Sequence, residues 1–222
     1  PQETQELEES LRLVFSQAFR SELRSPESER IHIFDGHQAL TIIDGNIVAA
    51  SANRFDRYKD LLFYRSREAL TERLLKLGVN VLVSSLGRFE DKIVFIIGAN
   101  YPDDSVTQIW IDQETFLPIR WIIRGANGVS GSDTLEVRYL LWWKIGKTRY
   151  PSRIEFYQDA SLVRVNQAKN FEENAVFSKE LFDIEHLKLV YPRALAQPII
   201  PGEAEEPSEV QKTIEEFKRV FE

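Results

Sequence analysis

Hydrophobic positions follow two different periods along this chain, and the change of period separates predicted helices from predicted strands. In the first twenty residues they recur every three or four positions: Leu7, Leu11, Val14, Phe15 and Ala18. This spacing predicts one amphipathic helix over about residues 3–20. The Ser25-Pro26 pair predicts that the helix has ended by there, because a proline biases its predecessor out of the helical region.

From Ile31 onward the hydrophobic positions alternate or form short runs, which predicts β-strands. Strands are predicted over residues 31–34, 39–43 and 47–50, with Asp44-Gly45-Asn46 as a hairpin turn. Residues 58–66 fit either a strand or a helix. A second helix is predicted over Glu68–Leu77, where Gly78 marks its exit.

The middle of the chain predicts a β-meander. Strands are predicted over residues 79–89, 92–99, 106–112, 117–124, 134–144, 152–158 and 161–169. Most of the connections are short turns, which require antiparallel pairing because parallel strands need crossovers of a dozen residues or more.

The alternation within these strands predicts a sheet with one apolar face and one charged face. The predicted apolar set includes Leu117, Ile119, Trp121, Ile123, Leu135, Val137, Tyr139, Leu141, Trp143, Ile154 and Phe156. Strand twist accumulates in a sheet of eight to eleven strands, so that it curls. The predicted fold class is therefore α+β, mainly β: a strongly curved antiparallel sheet forming an incomplete barrel, with helices covering its opening.

The concave apolar side of such a sheet is a candidate ligand cavity, with a packed core as the alternative reading. The predicted lining residues are Phe95, Ile97, Leu117, Ile119, Trp121, Ile123, Val137, Tyr139, Leu141, Trp143, Ile154 and Phe156. Large aromatic side chains of this kind suit a lipid or another apolar ligand.

The C-terminal part has a different composition. Residues 1–190 are predicted to form the barrel domain, and residues 191–207, with four prolines, a linker. An amphipathic helix is predicted over residues 208–222, with a stripe that could dock on a partner or a second copy: Val210, Ile214, Phe217 and Phe221.

Composition and charge exclude several classes of protein. The chain has 222 residues, a net charge of −7, no cysteine and no methionine. The acidic balance argues against a nucleic-acid partner, and the missing cysteines exclude disulfides and thiolate metal sites. No run approaches the ~20 apolar residues of a membrane span, so a soluble globular protein is expected. The missing initial methionine predicts a processed product whose signal segment lies upstream.

Few residues suggest catalysis. His32, His37 and His186 are scattered, so that surface histidines are favoured over a metal site, and the Gly125–Gly131 loop does not open a helix as a phosphate cradle would. The acidic residues Asp103, Asp104, Asp112 and Glu114 could do acid–base work but fit solvated turns. The arginines Arg120, Arg124, Arg138 and Arg153 could meet phosphate groups, or form an outer face balanced by Glu136 and Glu155. The expectation is a protein without enzymatic activity, cofactor or metal.

A family resemblance points to a function. The segment Gln108–Asp112 (QIWID), followed by Glu114–Arg120 (ETFLPIR), resembles a hairpin common in periplasmic proteins that sort outer-membrane lipoproteins. The Tyr150–Ile154 strand and the segments 166–169 and 177–182 resemble the C-terminal part of the same carrier superfamily, whose members include LolA, LolB and RseB. The resemblance covers about residues 5–190, with specific motifs between 106 and 185.

The resemblance implies a half-closed barrel that binds the acyl chains of a lipid or lipoprotein in the bacterial envelope, in the periplasm or attached to the outer membrane. It implies a possible part in outer-membrane lipoprotein sorting, without chemistry on the ligand. Two alternatives remain open: a sensory or scaffold domain that binds another protein, and an enzyme that uses the cavity for a small apolar substrate.

Overall fold

A computed structural model describes residues 5–48, 53–125 and 134–193, which form two compact units. One unit combines residues before 57 with residues after 175, and the other comprises Arg57–Ala175. The described elements, in chain order, are β1 (Glu8–Val14), β2 (Ala18–Arg24), β3 (Glu29–Phe34), β4 (Ala39–Ile43), β5 (Asn46–Val48), a 3₁₀ helix (Arg54–Lys59), α1 (Asp60–Phe63), α2 (Arg67–Lys76), β6 (Ser84–Phe89), β7 (Lys92–Ile97), β8 (Gln108–Asp112), β9 (Pro118–Arg124), β10 (Thr134–Ile145), β11 (Thr148–Gln158), β12 (Ser161–Gln167), a 3₁₀ turn (Lys179–Leu181) and α3 (Ile184–Val190).

The mainly β class with few helices agrees with the prediction, but the prediction of one sheet curling into an incomplete barrel is wrong. The described strands form two separate antiparallel sheets, β1 to β5 and β6 to β12, and neither closes. In residues 53–83, which precede β6, the chain is helical at 54–63 and 67–76 and forms no strand, so the run of paired strands is interrupted there.

The predicted N-terminal helix over residues 3–20 is also wrong, because this segment forms the β1–β2 hairpin. Ser16 turns the chain with a positive φ of 60°, and the Gln17 N–H donates to the carbonyl of Val14. Leu11, a member of the predicted helical stripe, also follows a period of two with Leu13 and Phe15, and Leu13 pairs with Phe19. Pairing with β3 gives β2 a partner on its other side, which overrides the local helical pattern.

The helix α3 packs on one face of the five-stranded sheet. Ile184 and Leu187 form a buried cluster with the inward residues of β3 and β4: Ile31, Ile33, Leu40 and Ile42. The Asp183 carboxylate begins the helix by accepting a hydrogen bond from the His186 N–H at 2.9 Å. Burial of these aliphatic side chains stabilises the first unit.

The second unit contains the predicted meander, whose seven strands pair in sequence order. Residues 79–83, predicted as strand, precede β6 as turns, and residues 58–66 are helical in their first part. The predicted helix after residue 67 is confirmed as α2. The Ser66 hydroxyl caps its N-terminus by accepting from the Ala69 N–H, and Gly78 follows it with a φ of 85°.

The predicted linker and C-terminal helix, with Val210, Ile214, Phe217 and Phe221, lie outside the described residues. Within the described ranges, no helix has the length and apolar character required to cross a membrane.

Candidate functional site

One row of directly paired residues crosses all seven strands of the second sheet on a single face. From β6 to β12 the row reads Ser84, Ile97, Ile109, Trp121, Val137, Phe156 and Arg164. Its five central members are all apolar and are called here the apolar row: Ile97, Ile109, Trp121, Val137 and Phe156. Alternation along the strands produces this row because directly paired residues point to the same face.

Exposure changes along the apolar row. Trp121, Val137 and Phe156 have no accessible surface, whereas Ile97 on β7 is half-buried. Beyond it, the same face becomes open at Leu86, which is 57% exposed and pairs with the half-buried Phe95. The apolar face is therefore fully covered near β10 and β11 and open towards β6.

A short helical stretch covers the closed end of the row. We call residues 57–79 the cover segment; they belong to the same unit as the sheet. The Tyr58 ring meets Phe156 edge-on with 5.5 Å between centroids, and the Tyr139 hydroxyl donates to the Tyr58 carbonyl at 3.0 Å. Tyr58, Phe63 and Val79 are almost completely buried, so that the cover segment contributes its own apolar side chains to the core.

A partly buried ion pair joins α1 to α2 within the cover segment. The Arg73 guanidinium donates to both Asp60 oxygens, at 3.1 and 3.0 Å. Burial raises the pKa of Asp60 and outweighs the lowering effect of Arg73. Only Leu74 is fully buried in α2, while Leu75 is 54% exposed. The second helix is therefore held by few apolar contacts and by this ion pair.

Most of the predicted lining residues lie on this face. Ile123 pairs with Leu135, and Tyr139 pairs with Ile154, on either side of the apolar row, and all four are buried. Phe95 lies at the open end, where its ring stacks on Phe116. These predicted residues therefore form one continuous apolar surface. Its central side chains are fully packed and leave no accessible surface.

Four predicted lining residues are placed differently. Leu117 precedes β9 in a turn, and Ile119 packs in a separate cluster with Val94, Ile96, Ala99 and Trp110, because the β8–β9 register shifts after Trp110. Leu141 is 66% exposed and Trp143 is 37% exposed. Leu141 has a φ of 51°, which interrupts the alternation that the prediction assumed.

The sequence prediction missed two residues of this face. Trp142, not Trp143, lies beside Tyr139, with 6.4 Å between ring centroids. Tyr58 closes the row from a segment that fitted either a strand or a helix. A local sequence pattern predicts neither position. The placement of Trp142 depends on the left-handed backbone of Leu141, and that of Tyr58 depends on a contact with a residue 81 positions away.

The opposite face of the sheet carries a network of charges. Arg120 donates to Glu136 at 2.7 Å and also to Asp104, while Arg138 donates to Glu136 at 2.6 Å. Burial acts to raise the pKa of Glu136, but the two arginines outweigh it and keep the pKa below its ordinary value. Arg153 similarly pairs with Glu155. The predicted balance of arginine and glutamate on the outer face is confirmed.

The predicted acidic cluster does not form an acid–base pair. Asp112 is buried and its Oδ2 lies 2.7 Å from the Lys92 ammonium, which outweighs burial and lowers the pKa of Asp112 to about 2. Its Oδ1 accepts from the backbone N–H groups of Glu114 and Thr115. Asp112 therefore stays ionised and fixes the β8–β9 turn.

The histidines hold structural or surface positions. His32 hydrogen-bonds Thr41 through Nδ1 at 3.0 Å, and His37 and His186 are exposed. In residues 5–48, 53–125 and 134–193, no group of three or more histidines and carboxylates is arranged to hold a metal ion. Most of the glycine-rich loop after Gly125 lies outside the described residues.

Comparison with solved structures finds one matching chain. The chain is similar to a LolA superfamily protein from Nitrosomonas europaea, at 11% sequence identity over 80% of this chain and 81% of that chain, with a TM-score of 0.44. No protein-family model matches the sequence, and no curated protein is significantly similar to it.

Proposed function

We propose that this chain is a non-enzymatic protein of the bacterial cell envelope that binds an acyl chain of a lipid or lipoprotein against the apolar row. The observation that carries the proposal is the gradient along this row, from the buried Phe156 beneath the cover segment to the half-buried Ile97 at the open end. An apolar surface that is continuous from the interior to an exposed edge offers a ligand both a site and an entry.

The dimensions of the row suit an acyl chain. Five strands span four strand spacings, or about 19 Å. A bilayer core of about 30 Å gives each leaflet about 15 Å, so that a single lipid chain matches the row in length. Each methylene removed from water adds about 0.8 kcal/mol of binding free energy, which is sufficient without any polar contact.

Binding requires the cover segment to move, because Trp121, Val137 and Phe156 are fully packed in the described state. The features of the cover segment support such movement. Its second helix buries only Leu74 completely, and one of the hydrogen bonds between the cover segment and the sheet runs from the Tyr139 hydroxyl to the Tyr58 carbonyl. A helix with one buried side chain opens at a lower free energy than the strands of the sheet unfold.

The polar groups beside the row support binding rather than catalysis. Tyr139 donates to Tyr58, and burial raises the pKa of the Tyr139 hydroxyl well above its ordinary value, so that it stays protonated. Asp60 is engaged by Arg73. Tyr139 attaches the cover segment to the sheet, Asp60 joins the two helices of that segment, and neither group is poised to exchange a proton with a ligand.

The resemblance of residues 106–185 extends the proposal. It favours a periplasmic or outer-membrane-attached location and a part in outer-membrane lipoprotein sorting. We further propose that residues 1–190 act as the lipid-binding part, that residues 191–207 are a linker, and that a helix over residues 208–222 presents its apolar stripe to another envelope protein.

Native mass spectrometry of the full chain purified from a bacterial host tests the proposal. The expected result is a co-purified fatty acid or phospholipid, together with uptake of the apolar fluorophore diphenylhexatriene. Ile97→Glu places a charge at the open end of the row and should reduce uptake at least tenfold, whereas Arg138→Gln on the charged face should retain it. A ligand-free chain that also excludes the fluorophore would reject lipid binding and favour the sensory or scaffold alternative.

A further inference from the structure

A buried hydrogen-bond donor without a partner lies at the centre of the apolar row. Trp121 has no accessible surface, and its indole Nε1 has no hydrogen-bond partner. The other tryptophan that contacts this face, Trp142, also has a buried and unpartnered Nε1. By contrast, Trp110 on the other face donates to the Gln108 side chain at 2.8 Å. Buried donors in proteins are almost always satisfied, so these two require an explanation.

A structural water does not explain the Trp121 donor. The side chain has no surface accessible to a water-sized probe, and its paired neighbours Ile109 and Val137 carry no polar side-chain atom. A water needs two to four polar partners to remain in the interior. In the described structure the N–H group is therefore buried without a hydrogen-bond partner in place of water.

We propose that Trp121 Nε1 is a ligand-binding donor that receives the carbonyl oxygen of an acyl ester or amide when the cover segment opens. This inference rests on the proposed function and names the polar part of its ligand. The indole N–H is a donor only, so its partner must be an acceptor. The side chains around this donor are apolar. A ligand that fits both the donor and its surroundings therefore has one acceptor atom attached to a long hydrocarbon chain.

The apolar surroundings of Trp121 select a neutral carbonyl over a free carboxylate. Burial raises the pKa of the Tyr139 hydroxyl well above its ordinary value, which is the direction expected where a charged group is disfavoured. Tyr139 in turn lies beside Trp142. A carboxylate brought into the apolar row would lose its hydration, whereas an ester or amide carbonyl would carry a much smaller cost. Esterified or N-acylated chains are therefore favoured over free fatty acids.

Competition against diphenylhexatriene tests the inference, because this fluorophore has no hydrogen-bond acceptor and reports only on the apolar surface. The competitors are methyl hexadecanoate, hexadecanoate and hexadecane. In the unmodified protein, the ester should displace the fluorophore at a concentration about tenfold lower than the hydrocarbon, which corresponds to one hydrogen bond. Trp121→Phe should remove this preference and leave displacement by hexadecane unchanged. Trp143→Phe, at an exposed position, should retain it.

The outcomes separate this inference from the proposed function. If no competitor and no fluorophore binds, the proposed function fails. If ester and hydrocarbon compete equally in the unmodified protein and in Trp121→Phe, the apolar site stands and the donor role of Trp121 is rejected. Stronger competition by hexadecanoate than by the ester would overturn the selection of a neutral carbonyl. A measurement independent of any variant is the indole proton resonance of Trp121, which should move downfield on addition of the ester and not of hexadecane.

Discussion

Arg120 lies directly opposite Trp110 on the neighbouring strand, and its guanidinium carbon is 4.5 Å from the centre of the Trp110 ring. The same guanidinium donates to Glu136 and Asp104. These two residues belong to the sequence motif that carries the family resemblance. Their contact shows that the motif holds the β8–β9 hairpin together on the charged face, away from the apolar row.

Replacing Arg120 by lysine should destabilise the second unit. The substitution keeps the charge but removes the planar group that stacks on Trp110 and reaches two carboxylates at once. We expect a loss of about 2 kcal/mol in the free energy of unfolding, measured by urea denaturation. Arg149→Lys, at an exposed position, should change it by less than about 0.5 kcal/mol. Equal stability of the two variants would contradict the role assigned to this contact.

Asp112 should make the stability of the second unit depend on acidic pH. Its pKa is lowered from 3.8 to about 2 in the folded state, because the Lys92 ammonium stabilises the charged carboxylate. The stabilisation is complete above the ordinary pKa and is lost as the pH falls from about 4 towards 2. Asp112→Asn keeps an oxygen for the turn and removes the charge, so it should be less stable than the unmodified protein at pH 6.

The corresponding measurement is a pair of urea unfolding curves at pH 6 and near pH 2. We expect the difference between the unmodified protein and Asp112→Asn, about 1 to 2 kcal/mol at pH 6, to shrink as the carboxylate is protonated. A difference that stays constant over this range would show that the Lys92–Asp112 ion pair does not stabilise the fold.

Tyr139→Phe should loosen the cover segment without disrupting the sheet. The variant retains the buried ring and loses one hydrogen bond to the Tyr58 carbonyl, which should cost about 1 kcal/mol. Hydrogen exchange should then become faster at the amides of residues 58–76. Tyr157→Phe removes a hydroxyl that donates to Glu155 instead, and it should leave exchange in the cover segment unchanged. Unchanged exchange in both variants would reject the attachment through Tyr139.

The first unit offers a matched pair of leucines on one helix. Leu187 is buried in the cluster formed by α3 with β3 and β4, while Leu189 is 86% exposed. Leu187→Ala should lower the free energy of unfolding by about 2 to 5 kcal/mol through lost burial and a residual cavity. Leu189→Ala should have an effect within about 0.5 kcal/mol. Similar losses for the two variants would mean that α3 does not pack as described.

The sequence by itself determined the antiparallel meander and most of its apolar face. Trp121, Val137 and Phe156 could be assigned to one side because their strands alternate, and alternation is a local property of extended chain. The same holds for the balance of Arg120, Arg138 and Glu136 on the other side. Turns at Asp44-Gly45 and Glu90-Asp91 were also readable, since turn residues act within a few positions of the chain.

Only the tertiary structure decided how these elements are used. The segment Leu11–Ala18 satisfied a helical and a strand period equally, and pairing of β2 with β3 made it a hairpin. The left-handed Leu141 moved Trp142 to the side of Tyr139, and the contact of Tyr139 with Tyr58 filled the apolar face instead of leaving it hollow. These outcomes depend on contacts between residues that are distant in sequence. The free energy of such contacts exceeds the local conformational preference, and a local sequence pattern does not reveal them.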